Sequence, residues 1–168
     1  MSLTKQAKTL SENQQRAVLS YIQTKAQAER NTLMFLLSFD AALRSKEIAH
    51  LTWEMVTDAQ GNLTDEIRLQ DKASKGKSGG VIPMSKRLRD AFVVHADGKL
   101  LKGRVMKSAK GNELTSQIVI NYFWLLYREL GYEGCSSHSG RRTAITRWAR
   151  KISACGGGLK EEIGRAHV

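Results

Sequence analysis

The sequence predicts an α+β fold that is mainly helical and carries a small antiparallel β-sheet. Apolar residues recur at helical spacing over most of the 168 residues, most densely in residues 33–39 and 118–130. One stretch changes to a period of two, where Ile67 and Leu69 alternate with polar residues. A turn rich in Gly, Ser and Lys follows, and residues 81–82 resume an extended segment. This order indicates a β-hairpin inserted among helices.

Capping residues mark where the helices begin. Ser11 followed by Gln14 has the pattern of a capping box and predicts that the first helix starts there. Ser85 and Thr115 stand before two later apolar-periodic stretches, and Gly131 follows the second of them as its expected C-cap.

Two intervening regions differ in their expected burial. The helix that starts near Glu29 is apolar nearly all round, which predicts a central, buried position. Residues 97–112 are rich in Lys and Gly and show little periodicity, so we expect a mobile basic loop or a short hairpin. The central helix leads directly to Arg44.

Composition indicates a single domain with an anionic partner. A hydrophobic content of 41% and a charged content of 26% are typical of a globular chain, and 168 residues suffice for one core. The formal net charge is +11 and the pI is about 9.9. Such an excess favours nucleic acid over a membrane surface as partner, although a merely basic protein is the alternative.

Cysteine usage and hydropathy predict a cytoplasmic protein. Cys135 and Cys155 have no metal-ligand spacing, so we expect reduced thiols and no metal site. No apolar run is long enough to span a bilayer, and the N-terminus lacks the apolar core of a signal peptide.

The segment 41–51 places an arginine beside a buried helical face. Leu43, Ile48 and Leu51 have the spacing of one such face, and Arg44 stands at its start. Glu47 lies one turn onward and is expected to contact Arg44 or its supporting backbone. An exposed ion pair of little energetic value is one interpretation. The other is a guanidinium held for a phosphate.

Two further basic elements fit the second interpretation. The expected hairpin tip carries Lys72, Lys75 and Lys77, although lysines are also common at tips for solubility. His138 and Arg141 are three residues apart and would project the same way from a helical turn. Two guanidiniums can clamp a phosphodiester, a Lys can protonate a leaving alkoxide, and a His can shuttle a proton.

These motifs together resemble the catalytic domain of the tyrosine recombinases, the phage integrase family. The family's first box matches Leu43-Arg44-Ser45-Lys46-Glu47-Ile48, and its His-x-x-Arg box matches His138 and Arg141. Its catalytic lysine, in a hairpin turn before an apolar-Pro segment, best matches Lys75, with Lys72 and Lys77 as alternatives. The boxes occur in the family's order, and the similarity runs from about residue 10 to residue 159.

The resemblance implies site-specific strand exchange on double-stranded DNA through a phosphotyrosyl intermediate, without metal or nucleotide cofactor. Arg44 and Arg141 would bind the scissile phosphate, with Glu47 supporting Arg44. Lys75 would be the general acid, and His138 would assist proton transfer. The remaining cations near these boxes would contact DNA, namely Lys72, Lys77 and Arg142. The intact parent would act as a homo-oligomer on DNA, in the bacterial or phage-infected cytoplasm.

The sequence also departs from the family pattern. No Tyr occurs among the 27 residues after Arg141, so we expect this chain to be inactive alone. We assign residues 10–161 to the catalytic domain, expect 162–168 to be a non-native tail, and expect no N-terminal core-binding domain. Two alternatives stay open: a non-catalytic DNA-binding module that uses the same basic cleft, and a phosphodiesterase that uses His138 and Lys75.

Overall fold

Six α-helices and one short two-stranded sheet form the described part of the chain. The computed structural model describes residues 6–70 and 80–156. None of the helices in these two ranges is both long and apolar enough to cross a membrane. The predicted mainly helical α+β class is confirmed. The elements are α1 (Glu12–Gln23), α2 (Ala28–Phe39), α3 (Ser45–His50), a 3₁₀ turn (Trp53–Val56), β1 (Glu66–Arg68), β2 (Val81–Pro83), α4 (Lys86–Ala96), α5 (Ser116–Glu129) and α6 (Ser139–Ala154).

The predicted caps start three of these helices. The hydroxyl of Ser11 accepts a hydrogen bond from the amide of Gln14 at 3.2 Å, and the Gln14 side chain accepts from the amide of Ser11 at 2.9 Å. Ser85 and Thr115 each accept from the amide three residues onward, at 3.2 Å. These bonds satisfy amides that a helix leaves unpaired at its start, and they confirm the predicted helix boundaries.

Helix α2 occupies the centre of the domain. Its side chains from Leu33 to Phe39 are all buried, and the rings of Phe35 and Phe39 stack at 4.2 Å. It packs against α1, α3, α4 and α6, while α5 packs against α3. This arrangement confirms the central position that the apolar composition of α2 predicts. It also fixes the position of the turn that follows the C-terminal end of α2.

The antiparallel sheet has the predicted alternation. Strands β1 and β2 pair with Ile67 opposite Ile82, and both side chains are buried against the core. Val81 points outward and is 52% exposed. Outside the strands, the amide of Leu69 donates to the carbonyl of Gly80 at 2.8 Å. The two strands therefore lead to and from residues 71–79, which lie outside the described residues.

Of the two predictions for the segment 97–112, the structure confirms the short hairpin, and the rest of the segment is packed on the core. Val105 and Met106 are buried in the core, and the amide of Val105 donates to the carbonyl of Leu51 at 2.9 Å. Thr52 forms an isolated β-bridge with Arg104, and a tight turn at 108–111 closes a second bridge. The segment thus returns to the core beside the chain that follows α3.

Candidate functional site

The turn between α2 and α3 has an unusual backbone. Residues 41–43 are fully buried, and Ala42 adopts a left-handed conformation with φ of 55°. A residue with a Cβ atom pays roughly 1–2 kcal/mol for that conformation. The turn therefore holds the carbonyl of Ala42 in an orientation that an extended or helical backbone would not give.

Arg44 follows this turn, directly before α3, and Glu47 supports its backbone. The Glu47 side chain is 5% exposed, and its Oε1 atom accepts a hydrogen bond from the amide of Arg44 at 2.8 Å. The contact expected between these residues is thus made to the backbone amide and not as an ion pair with the guanidinium. The Arg44 residue is exposed, so its side chain is available to solvent and ligand.

Arg141 lies in the first turn of α6 and reaches back to the same turn. Its Nη1 atom donates to the carbonyl oxygen of Ala42 at 2.7 Å. Burial and the positive charge of Arg44 lower the pKa of Arg141 to about 10, and the charge of Glu47 opposes them. The structure therefore brings Arg44, Glu47 and Arg141 together across 97 positions of sequence, and Arg141 still carries its charge at neutral pH.

A glycine allows α6 to approach α2 this closely. A Cβ atom built on Gly140 would lie 2.0 Å from the hydroxyl of Ser38 and 2.8 Å from the Cδ1 atom of Phe39. Both distances are below any normal contact, so the residue before Arg141 has no room for a side chain. This close packing sets the position from which Arg141 reaches Ala42.

His138 stands at the N-terminal cap of α6, three residues before Arg141. It is exposed, its amide donates to the hydroxyl of Ser136 at 3.2 Å, and its carbonyl accepts from the amide of Arg142. The hydroxyl of Ser139 in turn accepts from the amide of Ser136 at 2.9 Å. His138 is therefore fixed by its backbone at the opening turn of the helix that carries Arg141.

Of the remaining predicted cations, Arg142 is the one within the described residues. Arg142 donates from Nη1 to the side chain of Gln6, so it contacts the N-terminal segment and diverges from Arg141. Lys72, Lys75 and Lys77 lie outside the described residues. Strands β1 and β2, which flank those lysines in sequence, are described.

A buried carboxylate at the end of α2 was not singled out from the sequence. Asp40 accepts hydrogen bonds from Ser85 at 2.5 Å and from Arg87 at 2.7 and 2.6 Å, and Arg147 lies at 3.7 Å. Arg147 also donates to the carbonyl of Phe39 at 3.2 Å. Asp40 therefore connects the C-terminal end of α2 to the start of α4 and to the middle of α6.

The charge of Asp40 is stabilised despite its burial. Burial alone would raise the pKa of this carboxyl group, but the hydrogen bonds from Arg87 and Ser85 and the charges of Arg87 and Arg147 outweigh it. The net effect lowers the pKa of Asp40. A pattern of apolar spacing contains no signal for such a network, because the partners of Asp40 lie 45 to 107 positions after it in the sequence.

The tyrosines of α5 serve the core. Tyr127 is 1% exposed, and its hydroxyl has no hydrogen-bond partner among the described residues. Burial raises the pKa of Tyr127 well above its ordinary value, and burial also raises the pKa of Tyr122. The hydroxyl of Tyr21 on α1 donates to the carboxylate of Glu129. Of these three tyrosines, Tyr127 is buried, Tyr122 is half-buried against the core, and Tyr21 is engaged by Glu129.

The described site thus combines two arginines from different elements, a buried carboxylate beneath one of them and an exposed histidine beside the other. A pair of guanidiniums held in this way is suited to a phosphate diester. The arrangement of the helices and the small sheet is that of the integrase catalytic-domain fold. The chain belongs to the phage integrase family, whose sequence pattern matches residues 8–153.

Solved structures share this fold at low sequence identity. The Tn1549 transposon integrase, in complex with circular intermediate DNA, has a TM-score of 0.62 at 17% identity, over 90% of this chain and 54% of that one. XerA recombinase has a TM-score of 0.66 at 13% identity, over 93% and 55%. A lambda integrase dimer bound to a COC′ core site has a TM-score of 0.65 at 15% identity, over 91% and 43%.

The chain spans about half the length of these proteins. No curated protein sequence matches it significantly.

Proposed function

We propose that this chain is the catalytic domain of a tyrosine site-specific recombinase and that it binds double-stranded DNA. The observation that supports this most is the meeting of Arg44 and Arg141 at the Ala42 turn, within a domain of the phage integrase family. Under this proposal residues 10–161 form the domain, and it acts on DNA in the cytoplasm of a bacterium or a phage-infected cell.

The two arginines bind the scissile phosphate in the proposed reaction. A tyrosine hydroxyl attacks phosphorus, a phosphotyrosyl bond forms, and the bond to the 5′ oxygen breaks. Negative charge that develops on the non-bridging oxygens is stabilised by Arg44 and Arg141. Glu47 supports this arrangement by holding the amide of Arg44.

Proton transfer is assigned to a lysine and a histidine. Lys75 donates a proton to the leaving 5′ oxygen, with Lys72 or Lys77 as the alternative donor. His138 assists proton transfer at the attacking hydroxyl. Lys72, Lys77 and Arg142 add contacts to DNA phosphates. The reaction conserves the phosphodiester energy in the phosphotyrosyl bond, so no cofactor is part of the proposal, and the intact parent assembles as a homo-oligomer on DNA.

A covalent-trapping experiment tests the proposal. The chain is extended after Leu159 with a family-like tail that carries a Tyr, and the protein is incubated with a nicked suicide substrate of duplex DNA. We expect a covalent protein–DNA band on a denaturing gel, lost when the appended Tyr is replaced by Phe. The chain as it stands should give no band, because Tyr127 is buried, Tyr122 and Tyr132 are half-buried against the core, and Tyr21 is hydrogen-bonded to Glu129.

The same experiment separates the alternatives. An extended protein that folds and binds DNA but forms no adduct would favour a non-catalytic DNA-binding module. Cleavage without a covalent band, dependent on His138 and Lys75, would favour a phosphodiesterase.

A further inference from the structure

A cavity of about 680 Å³ lies on a different part of the domain from the two arginines of the candidate site. It opens between the start of α2 and the segment that links α4 to α5. Its floor includes Trp53, His95 and Val105, which are all buried. Arg44, His138 and Arg141 are not among the described residues that line it.

The lining of this cavity is strongly cationic. Among the described residues that line it, Glu29 is the carboxylate, and it is outnumbered by basic side chains. The basic residues are Arg30, Lys99, Lys102, Arg104 and Lys107. Like charges gathered around one concavity repel each other and attract an anion.

Arg30 lines the cavity, and its hydrogen bonds are made to neutral acceptors. Its Nη1 atom donates to the carbonyl of Lys107 at 3.0 Å, and its Nε and Nη2 atoms donate to the side-chain oxygen of Asn31 at 3.0 and 2.9 Å. The residue is half-buried, and burial lowers the pKa of its guanidinium. These acceptors orient the group but do not neutralise its charge.

Arg104, which also lines the cavity, is held in a similar way. Its Nη1 atom donates to the carbonyl of Ala49 at 2.9 Å. The carboxylate of Glu113 lies 3.7 Å from its Nη2 atom, and that carboxylate is 61% exposed. The second guanidinium of the cavity therefore has a weak, solvent-screened counter-charge.

His95 and Lys99 line the same cavity, next to Trp53. The Lys99 ammonium group donates to the carbonyl of His95 and lies 3.3 Å from its Nδ1 atom, while the imidazole stacks on Trp53 at 5.9 Å. Burial lowers the pKa of His95, as do the charges of Lys99 and Arg30, against opposing effects of the Val105 carbonyl and Glu29. The imidazole thus responds to charge within the cavity.

We propose that this cavity is an anion site that binds a phosphate group through Arg30, Lys99 and Arg104. The chemistry fits either a backbone phosphate of DNA or the phosphate of a small molecule, because charge-assisted hydrogen bonds from guanidinium and ammonium groups recognise both. The site is separate from the scissile-phosphate site and does not rest on the proposed recombinase function.

An NMR titration of His95 tests the proposal in the full chain. The pKa of the His95 imidazole is measured alone, with inorganic pyrophosphate and with a short DNA duplex, and the resonance is assigned with His95→Gln. An anion in the cavity favours the imidazolium, so the pKa of His95 should rise. Arg30→Gln and Lys99→Gln should weaken the binding by about tenfold. Lys110→Gln, an exposed lysine that does not line the cavity, is the matched control.

Each outcome separates the possibilities. A rise with pyrophosphate alone assigns a small phosphate compound, and a rise with both assigns DNA phosphates as well. The rise should persist in Arg44→Ala, which keeps this test distinct from that of the recombinase proposal. An unchanged pKa of His95 with both ligands overturns the proposal, as does an equal rise in Lys99→Gln. If Arg30→Gln fails to fold, the exposed Lys102→Gln provides the second variant, with a smaller loss of affinity.

Discussion

Arg141 donates a 2.7 Å hydrogen bond to the carbonyl oxygen of Ala42, a residue 99 positions earlier in the chain. The acceptor is presented by a left-handed residue at the end of the central helix, and the next polar side chain along the chain is that of Arg44. This bond links the first turn of α6 to the turn that carries Arg44. The spacing between the two guanidiniums is therefore a property of how α6 docks on α2.

Removing the Glu47 carboxylate should destabilise the α2–α3 turn. Glu47→Ala leaves the amide of Arg44 without its acceptor in a half-buried hydrogen bond, at a cost of about 1–2 kcal/mol. Urea unfolding measures the loss in free energy of unfolding. Glu54→Ala removes an exposed carboxylate nearby in sequence and should change stability by less than about 0.5 kcal/mol. Equal stabilities of the two variants would show that the hydrogen bond between Glu47 and the amide of Arg44 does not stabilise the fold.

Asp40→Asn should cost about 1–3 kcal/mol at pH 7, because two charge-assisted hydrogen bonds from Arg87 lose their anionic acceptor. Arg87 is 40% exposed, which keeps the cost below that of a fully buried pair. Asp65→Asn is the control, since the Asp65–Arg89 pair has a similar 2.6 Å distance but an 87% exposed carboxylate. Its loss should stay under about 1 kcal/mol.

The pH dependence of stability should identify the same group. The pKa of Asp40 is lowered in the folded state, so its contribution is present above the unfolded-state value of about 3.9 and is lost as pH falls through the folded-state value. The difference in unfolding free energy between the wild-type protein and Asp40→Asn should therefore shrink below about pH 4. A difference that stays constant from pH 7 to pH 3 would contradict the assigned charge state.

Gly140→Ala should displace α6 or unfold it locally. The added methyl group would overlap Ser38 and Phe39 in a packed interface, at a cost of about 1–3 kcal/mol or more. The midpoint temperature of thermal unfolding and the affinity for DNA should both fall, because the movement carries Arg141 away from Ala42. Ser38→Ala is the matched control, and it should be nearly neutral because the buried hydroxyl has no hydrogen-bond partner among the described residues.

Local signals in the sequence were sufficient for the helices and the sheet. The hydroxyls of Ser11, Ser85 and Thr115 cap helices within three residues of themselves, and the alternation around Ile67 is a property of one strand. Such contacts leave a pattern in the sequence because both partners lie in the same window.

Long-range contacts of the site left no such pattern. The bond between Arg141 and Ala42 and the cluster around Asp40 depend on how separate helices pack. The burial of Val105 in a segment rich in Lys and Gly likewise depends on a long-range contact, the β-bridge between the preceding residue Arg104 and Thr52. For Arg44 and Arg141, the resemblance to a family identified the residues, while their mutual geometry required the fold.

The salt dependence of DNA affinity tests most directly whether Arg44 and Arg141 hold one phosphate. Affinity for a duplex is measured over a range of salt for the wild-type protein, Arg44→Ala, Arg141→Ala and the double variant, with Arg16→Ala, an exposed arginine on α1, as control. Each single variant should flatten the log–log slope, and the double variant should flatten it by about 0.9 in total, because the pair neutralises one phosphate. The double variant should lose less affinity than the sum of the two, because the contacts share a ligand. Additive losses, or slopes equal to that of Arg16→Ala, would contradict a shared phosphate clamp.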